Sequence, residues 1–207
     1  MNHEHNYSGA GRFSSQLHHV LIGSLLGDAS LQTFNGHSWR ARFLQGHNNK
    51  DYLFHLYSLF QPFVKTPPRE SDDGSGNKRW SFNTTVLPEL SFYANIFYKN
   101  NKKILNTSLL QEQFNEISLA YWFMDDGSLK RWGTSQAYIL CTDSFSKDQV
   151  ILLGDMLFKK YNIHVSYHKQ RDNYRIYIPR KHSKEFRSII LPYIHPNFNY
   201  KLGSLIT

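Results

Sequence analysis

The sequence predicts an α+β fold made of two pseudo-symmetric αββαββα repeats. Three observations carry that reading. An apolar stretch that runs into acid occurs twice, as Leu21-Ile-Gly-Ser-Leu-Leu-Gly-Asp-Ala29 and as Leu119-Ala-Tyr-Trp-Phe-Met-Asp-Asp-Gly127. The same succession of strand-like and helix-like segments follows each copy. Finally, 75 residues separate Asp28 from Lys103, and the same 75 separate Asp126 from Lys201.

Taken in order, residues 1–13 are polar and rich in His, Gly and Ser, and are expected to be flexible, with no apolar core of a secretion signal. Ser14 or Ser15 can cap a helix carrying Leu17 and Val20 to Leu26. Because it is apolar almost all round, that helix should be buried on every side. Gly23 and Gly27 share one face of it at a cost of roughly 0.8–1 kcal/mol each, which makes sense where another backbone packs closely. Ser30 to Gly36 and Arg40 to Gln45 read as a hairpin. Asn48 or Asn49 can cap an amphipathic helix from Asp51 to Phe60. A second hairpin runs from Phe63–Lys65 to Arg79–Asn83, and a helix near Leu90 to Tyr98 closes the first repeat, residues 14–103.

Residues 104–117 read as a linker, with a short helix starting at Thr107 or Ser108. The second repeat, residues 118–207, opens at Ser118 as a cap. Ala137 to Cys141 supplies a strand, and Cys141 is expected in the core. Ser146-Lys-Asp-Gln149 forms a capping box ahead of Val150, Leu153 and Leu157. Ile163–Tyr167 and Tyr174–Ile178 form a hairpin, and Phe186 to Leu191 makes the closing helix. Asn199-Tyr-Lys201 then answers Asn101-Lys-Lys103.

The 207 residues are 40% hydrophobic and 15% aromatic, enough for a packed core. Apolar runs fall far short of the ~20 residues of a membrane span, so no membrane partner is expected. One cysteine excludes an internal disulfide and a cysteine-built zinc site. The net charge of +8 favours a polyanionic partner, nucleic acid before membrane. It is spread evenly: residues 1–103 hold 11 Lys/Arg against 7 Asp/Glu, and residues 104–207 hold 13 against 9. The histidines His3, His5, His18, His19 and His47 are scattered and are expected to be solvated. Asp72-Asp-Gly74 sits in a polar turn and reads as a loop tip.

An aspartate at a helix C-terminus is repelled by the macrodipole, by some tenths of a kcal/mol to roughly 1 kcal/mol. Two such helices packed against each other about a pseudo-twofold axis would bring Asp28 and Asp126 together, where they must share a proton or bind cations. Oxygen ligands without His or Cys favour Mg²⁺ over zinc, and Mg²⁺ takes the rest of its shell from water and phosphates. That is the two-metal logic of phosphodiester hydrolysis.

The two nine-residue copies and the matched lysines resemble the LAGLIDADG homing endonucleases of the single-chain, two-motif type, across nearly the whole chain from Ser14. The resemblance implies a monomer with paired LAGLIDADG helices at the repeat interface and two antiparallel sheets forming a DNA-binding saddle. It implies cleavage of both strands of a long asymmetric double-stranded DNA site across the minor groove, leaving 3′ overhangs. Asp28 and Asp126 match the metal-binding acids, with the backbone carbonyls of Ala29 and Gly127 as further ligands; Lys103 and Lys201 match the lysines bordering the centre. Mg²⁺ is the implied cofactor, with Mn²⁺ as substitute and Ca²⁺ supporting binding without cleavage. A mitochondrial, organelle-encoded origin is also implied.

The second copy has Tyr121 and Asp125 where the first has Gly23 and Gly27. The helix interface should therefore be asymmetric, with Tyr121 against the glycine face and Asp125 in an interface or accessory role. Sequence should be read by alternate strand side chains, the candidates being Gln32, Arg40, Arg42, Lys65, Arg79, Lys130, Arg131, Lys169, Arg171 and Arg175. The alternatives are a maturase that binds intron RNA to assist splicing, and a DNA-binding protein that does not cut.

Overall fold

The computed structural model describes residues 11–100, 102–132 and 135–203, the side chains of Arg131, Trp132 and Ser135 excepted. The first repeat comprises α1 (Ser15–Leu26), β1 (Ser30–Thr33), β2 (Trp39–Gly46), α2 (Lys50–Phe60), β3 (Arg69–Asp72), β4 (Lys78–Asn83) and α3 (Leu90–Phe97). A small ladder, β5 (Tyr98–Lys99) with β6 (Lys102–Lys103), and a helix, α4 (Thr107–Gln113), connect it to the second repeat. That repeat comprises α5 (Glu116–Asp126), β7 (Gly127–Trp132), β8 (Ser135–Leu140), α6 (Lys147–Tyr161), β9 (Ser166–Gln170), β10 (Asn173–Ile178) and α7 (Arg180–Ile190), followed by α8 (Asn199–Leu202). The two sheets share one topology, β1-β2-β4-β3 and β7-β8-β10-β9, with neighbouring strands antiparallel throughout.

Helices α1 and α5 pack against each other at the centre, and both are buried almost all round. Gly23 and Gly27 make this possible. A Cβ at Gly23 would strike the Ser118 carbonyl and lie 2.8 Å from Tyr121 Cβ, and one at Gly27 would strike the Asp125 side chain. The Ser118 hydroxyl donates across the interface to the His19 carbonyl at 3.0 Å. Each sheet lays one face on this core. Along β2, Trp39, Ala41, Phe43 and Gln45 are buried while Arg40, Arg42 and Leu44 alternate outward, as the pleat requires.

Several local expectations shift. Ser14 caps α1, its hydroxyl accepting from the Leu17 amide at 3.2 Å, but the cap of α5 is Asn115, which accepts from Ser118 at 3.1 Å, so Ser118 lies inside the helix. Helix α4 starts at Thr107 as expected, with Asn106 as its cap. Asn49 stands at the N-terminus of α2 without a side-chain cap bond. The first strand of the second hairpin is Arg69–Asp72, not Phe63–Lys65. Asp72 and Asp73 accept four amides, those of Gly74, Ser75, Gly76 and Asn77, which fixes a tight loop tip and pairs the residues beside it. Pro67 and Pro68 lack the amides a strand would need there. Helix α7 starts at Arg180 rather than Phe186, because its first turn is polar and only Ser183, Phe186 and Ile190 reach the core.

The N-terminal segment expected to be flexible is anchored at its end. Phe13 is buried edge-on against Phe63 at 4.8 Å, and Arg12 pairs with Glu89 at 2.7 Å. Residues 1–10 lie outside the described residues. His18 and His19 are buried rather than solvated, bonded to the Tyr93 hydroxyl and the Gln113 carbonyl at 2.7 and 3.0 Å. Cys141 is only half-buried, just past β8, its amide donating to the Asp126 carbonyl at 2.9 Å. The capping box forms as read, with Ser146 and Gln149 exchanging both bonds. Among the described residues, no helix is long and apolar enough to cross a membrane.

Candidate active site at the paired helix ends

Because α1 and α5 pack in parallel register at their C-terminal ends, three carboxylates converge. Asp28 follows α1 directly after Gly27, and Asp125 and Asp126 are the last residues of α5. Asp125 ties the ends together. One of its oxygens accepts from the backbone N–H of Asp28 at 3.2 Å, and the other from Gln45 Nε2 at 3.2 Å. The same Gln45 nitrogen donates to Asp28 Oδ2 at 2.9 Å, while Asn49 donates to Gln45 Oε1 at 3.1 Å and holds the amide in that orientation. Asp125 thus sits at the helix interface and touches both Gly27 and Asp28.

The unfavourable helix end is answered by a lysine. Lys201 Nζ donates to the Met124 carbonyl at 2.6 Å and reaches the Asp125 carbonyl at 3.4 Å, placing a cation on the last carbonyls of α5, where the macrodipole favours it. Lys103 is held differently: its ammonium lies over the Phe145 ring at 5.3 Å. The two lysines therefore stand at matched sequence positions on unlike local structure, β6 and α8.

Charge and burial act against each other here. Burial pushes the Asp126 carboxyl up to about 7, Asp28 adds to the rise, and Lys103 and then Lys201 oppose it. Asp28 opens onto solvent, yet burial of its carboxyl raises it too, against Gln45, Lys201 and Lys103. Asp125 is raised well above the carboxylate range by burial and by Asp28. Both lysines are lowered by burial, with the three aspartates opposing. Both lysines act on both acids, Lys201 ahead of Lys103 at Asp28 and Lys103 ahead of Lys201 at Asp126.

A divalent cation suits this donor set. The carboxylates are hard oxygen ligands, are pushed toward protonation first by burial and, at Asp125 and Asp126, by the neighbouring Asp28, and would be relieved by a cation. Among the described residues no group of three or more His, Cys, Asp and Glu side chains is arranged as a metal site. Ala29 and Gly127 follow the two acids directly and are both buried, one just before β1 and the other opening β7.

The basic candidates divide by register. Gln32 faces Arg40 directly, with Arg40 Nε donating to Gln32 Oε1 at 3.1 Å. Arg42 and Arg79 share the same outward face. Lys65 lies in the loop before β3, exposed, and lines a shallow pocket with Arg40 and Arg69. Lys130 faces outward on β7. Lys169 does not share that face: it pairs with Tyr174, which packs on the core, so it has helix-side parity on an edge strand. Arg171 is at the β9–β10 turn, in left-handed backbone with φ 55°. Arg175 faces outward but is gripped by Asp143, Nε at 3.0 Å and Nη2 at 2.6 Å. The side chain of Arg131, and all of Asn101, lie outside the described residues.

Sequence reasoning missed Gln45, Asp143 and Arg69. Gln45 and Asp143 share a spacing of 17 residues from Asp28 and Asp126, but the strand register sets Gln45 against Thr142, so the spacing marks no common role. Arg69 was hidden by the misplaced strand.

Comparison with known proteins follows the same geometry. The model of the LAGLIDADG DNA endonuclease family matches residues 18–186. The chain is 37% identical over 202 residues to DNA endonuclease I-ChuI of Chlamydomonas applanata, covering 89% of this chain and 93% of that one. It is 32% identical over 196 residues to cytochrome b mRNA maturase bI2 of Debaryomyces hansenii, covering 89% and 72%. In three dimensions it matches the homing endonuclease I-WcaI, solved bound to its DNA recognition sequence, with a TM-score of 0.86, 31% identity and coverage of 94% and 88%. With acid-tipped paired helices, twin sheets and a match spanning most of its length, the chain belongs to the LAGLIDADG DNA endonuclease family.

Proposed function

We propose that this protein is a site-specific homing endonuclease that hydrolyses both strands of a long asymmetric DNA site across the minor groove, leaving 3′ overhangs. The observation that carries this reading is the convergence of Asp28 and Asp126 at paired helix ends, with Lys103 and Lys201 both acting on them, beside a sheet that carries outward arginines. Asp28 and Asp126, with the carbonyls of Ala29 and Gly127, hold divalent cations, Mg²⁺ first and Mn²⁺ in its place; Ca²⁺ supports binding without cutting. The bound cation supplies Lewis acidity that activates water and offsets charge on the scissile phosphate.

The remaining chemistry belongs to the chain. Gln45 orients the Asp28 carboxylate through its amide. Asp125 locks the helix ends so that the acids keep their separation. Lys103 and Lys201 place positive charge where negative charge grows on the phosphate oxygens. The protein acts as a monomer, because one chain provides both repeats, and its gene belongs in an organellar, mitochondrial intron. Selection of cleavable sites from a randomised DNA library with Mg²⁺ tests the reading: one long asymmetric site should emerge, and recovery of no cleavable site would defeat it.

A second reading has one supporting observation, the likeness to the bI2 maturase. A splicing assay on the host intron separates an additional RNA role from DNA cleavage alone.

A further inference from the structure

The outward faces of the two sheets differ in chemistry. On the first sheet, Arg40, Arg42, Arg69 and Arg79 project among small polar partners: Arg42 lies opposite Ser30 and Asn83, Arg69 opposite Ser81, and Arg79 opposite Ser71. Arg40 commits its Nε to Gln32 at 3.1 Å, whereas Arg42 and Arg69 extend past such short neighbours. The second sheet, in the same register, presents Ile139 directly opposite Tyr177. The Tyr177 ring stacks on His168 at 4.4 Å and 15°, and Lys130 Nζ lies over it at 5.3 Å. Arg175 is the one arginine in the outward register of this sheet among the described residues, and Asp143 already occupies two nitrogens of its fork.

Guanine offers two acceptors in the major groove, matched by a free arginine fork, whereas thymine offers a methyl group, matched by apolar contact. We infer that the two sheets read their halves of the DNA site by unlike chemistry: the arginine face of the first sheet reads guanines, and the Ile139–Tyr177 face of the second reads thymine methyls. The inference rests on the DNA-cleaving reading above and adds the composition of each half-site.

The test uses the full chain and its selected site. Affinities are measured in Ca²⁺ on four DNAs, with thymine replaced by deoxyuridine, or guanine by 7-deazaguanine, in one half at a time. Repeating the site selection with Arg42→Gln and with Ile139→Ala shows which half lies under which sheet, since base preference relaxes there. Deoxyuridine in the Ile139 half should weaken binding about fourfold per contacted methyl, and Ile139→Ala should remove that sensitivity. Deazaguanine in the Arg42 half should weaken it about tenfold or more, with the crossed substitutions near neutral. Equal response of both halves to each analogue, a reversed pattern, or a selected Ile139 half with no fixed thymine would overturn the inference while leaving the endonuclease reading intact. A chain that binds no DNA at all would defeat both.

Discussion

Asp126 is the residue whose chemistry is most displaced by its surroundings. With its pKa at about 7, set first by burial, it keeps a proton in the folded apo protein across the interval where an unfolded aspartate has lost its own. A raised carboxyl pKa means that the folded state binds more protons, so stability falls as pH rises from about 4 to about 7. Thermal unfolding of the metal-free protein should show that decline, and Asp126→Asn should make it shallower, the raised Asp28 and Asp125 supplying the rest. Cleavage should move the other way. A cation must displace the proton, so at subsaturating Mg²⁺ the rate should rise about tenfold per pH unit up to about pH 7 and then level; a flat profile from pH 5 to 8 would remove Asp126 from the metal site. The lysines give a second contrast. Lys201 holds the end of α5, so Lys201→Met should cost about 1–2 kcal/mol of stability as well as activity. Lys103→Met should cost activity alone, which denaturant melts alongside strand-nicking rates would resolve.

Among the elements, the α1–α5 pair carries the most constraint. Gly23 leaves no room for a Cβ against the Ser118 carbonyl, so Gly23→Val should destabilise the protein by about 1–3 kcal/mol or more in urea titration and should slow cutting by moving the acids apart. Ser146→Ala removes the capping box of α6 and should cost about 1 kcal/mol with no effect on cutting. The pair was legible in the sequence because an apolar run ending in acid is unfavourable unless a partner helix buries the run and a cation answers the acid. The capping box was legible because its four-residue spacing has a single geometry. The edge strand β3 was not. Its residues Arg69 to Asp72 are all exposed and polar, so they carry no alternation, and its position follows from the Asx bonds of the loop tip. The polar first turn of α7, Arg180 to Ser183, hid its start in the same way.

At the scale of the whole molecule, the repeat specifies a pseudo-twofold frame and the departures from it specify the site. The 75-residue spacing pointed to both lysines, but not to Lys201 being tied to the end of α5 while Lys103 lies over Phe145, since those contacts exist only once the elements pack. By strand register Gln45 corresponds to Thr142, yet Gln45 binds Asp28 and Asp125 while the Thr142 hydroxyl donates to the Tyr174 carbonyl and the next residue, Asp143, holds Arg175. Such differences arise from tertiary contacts that spacing does not encode. The central claim is that one molecule cuts two strands with its two acids. The most direct measurement is linearisation of a supercoiled plasmid carrying the selected site in Mg²⁺, for the wild-type chain, Asp28→Asn and Asp126→Asn, with binding measured in parallel. The wild-type chain should yield linear DNA, and each variant should bind the site but lose linear product by at least about a hundredfold. Linear product at the wild-type rate from either variant would contradict the account.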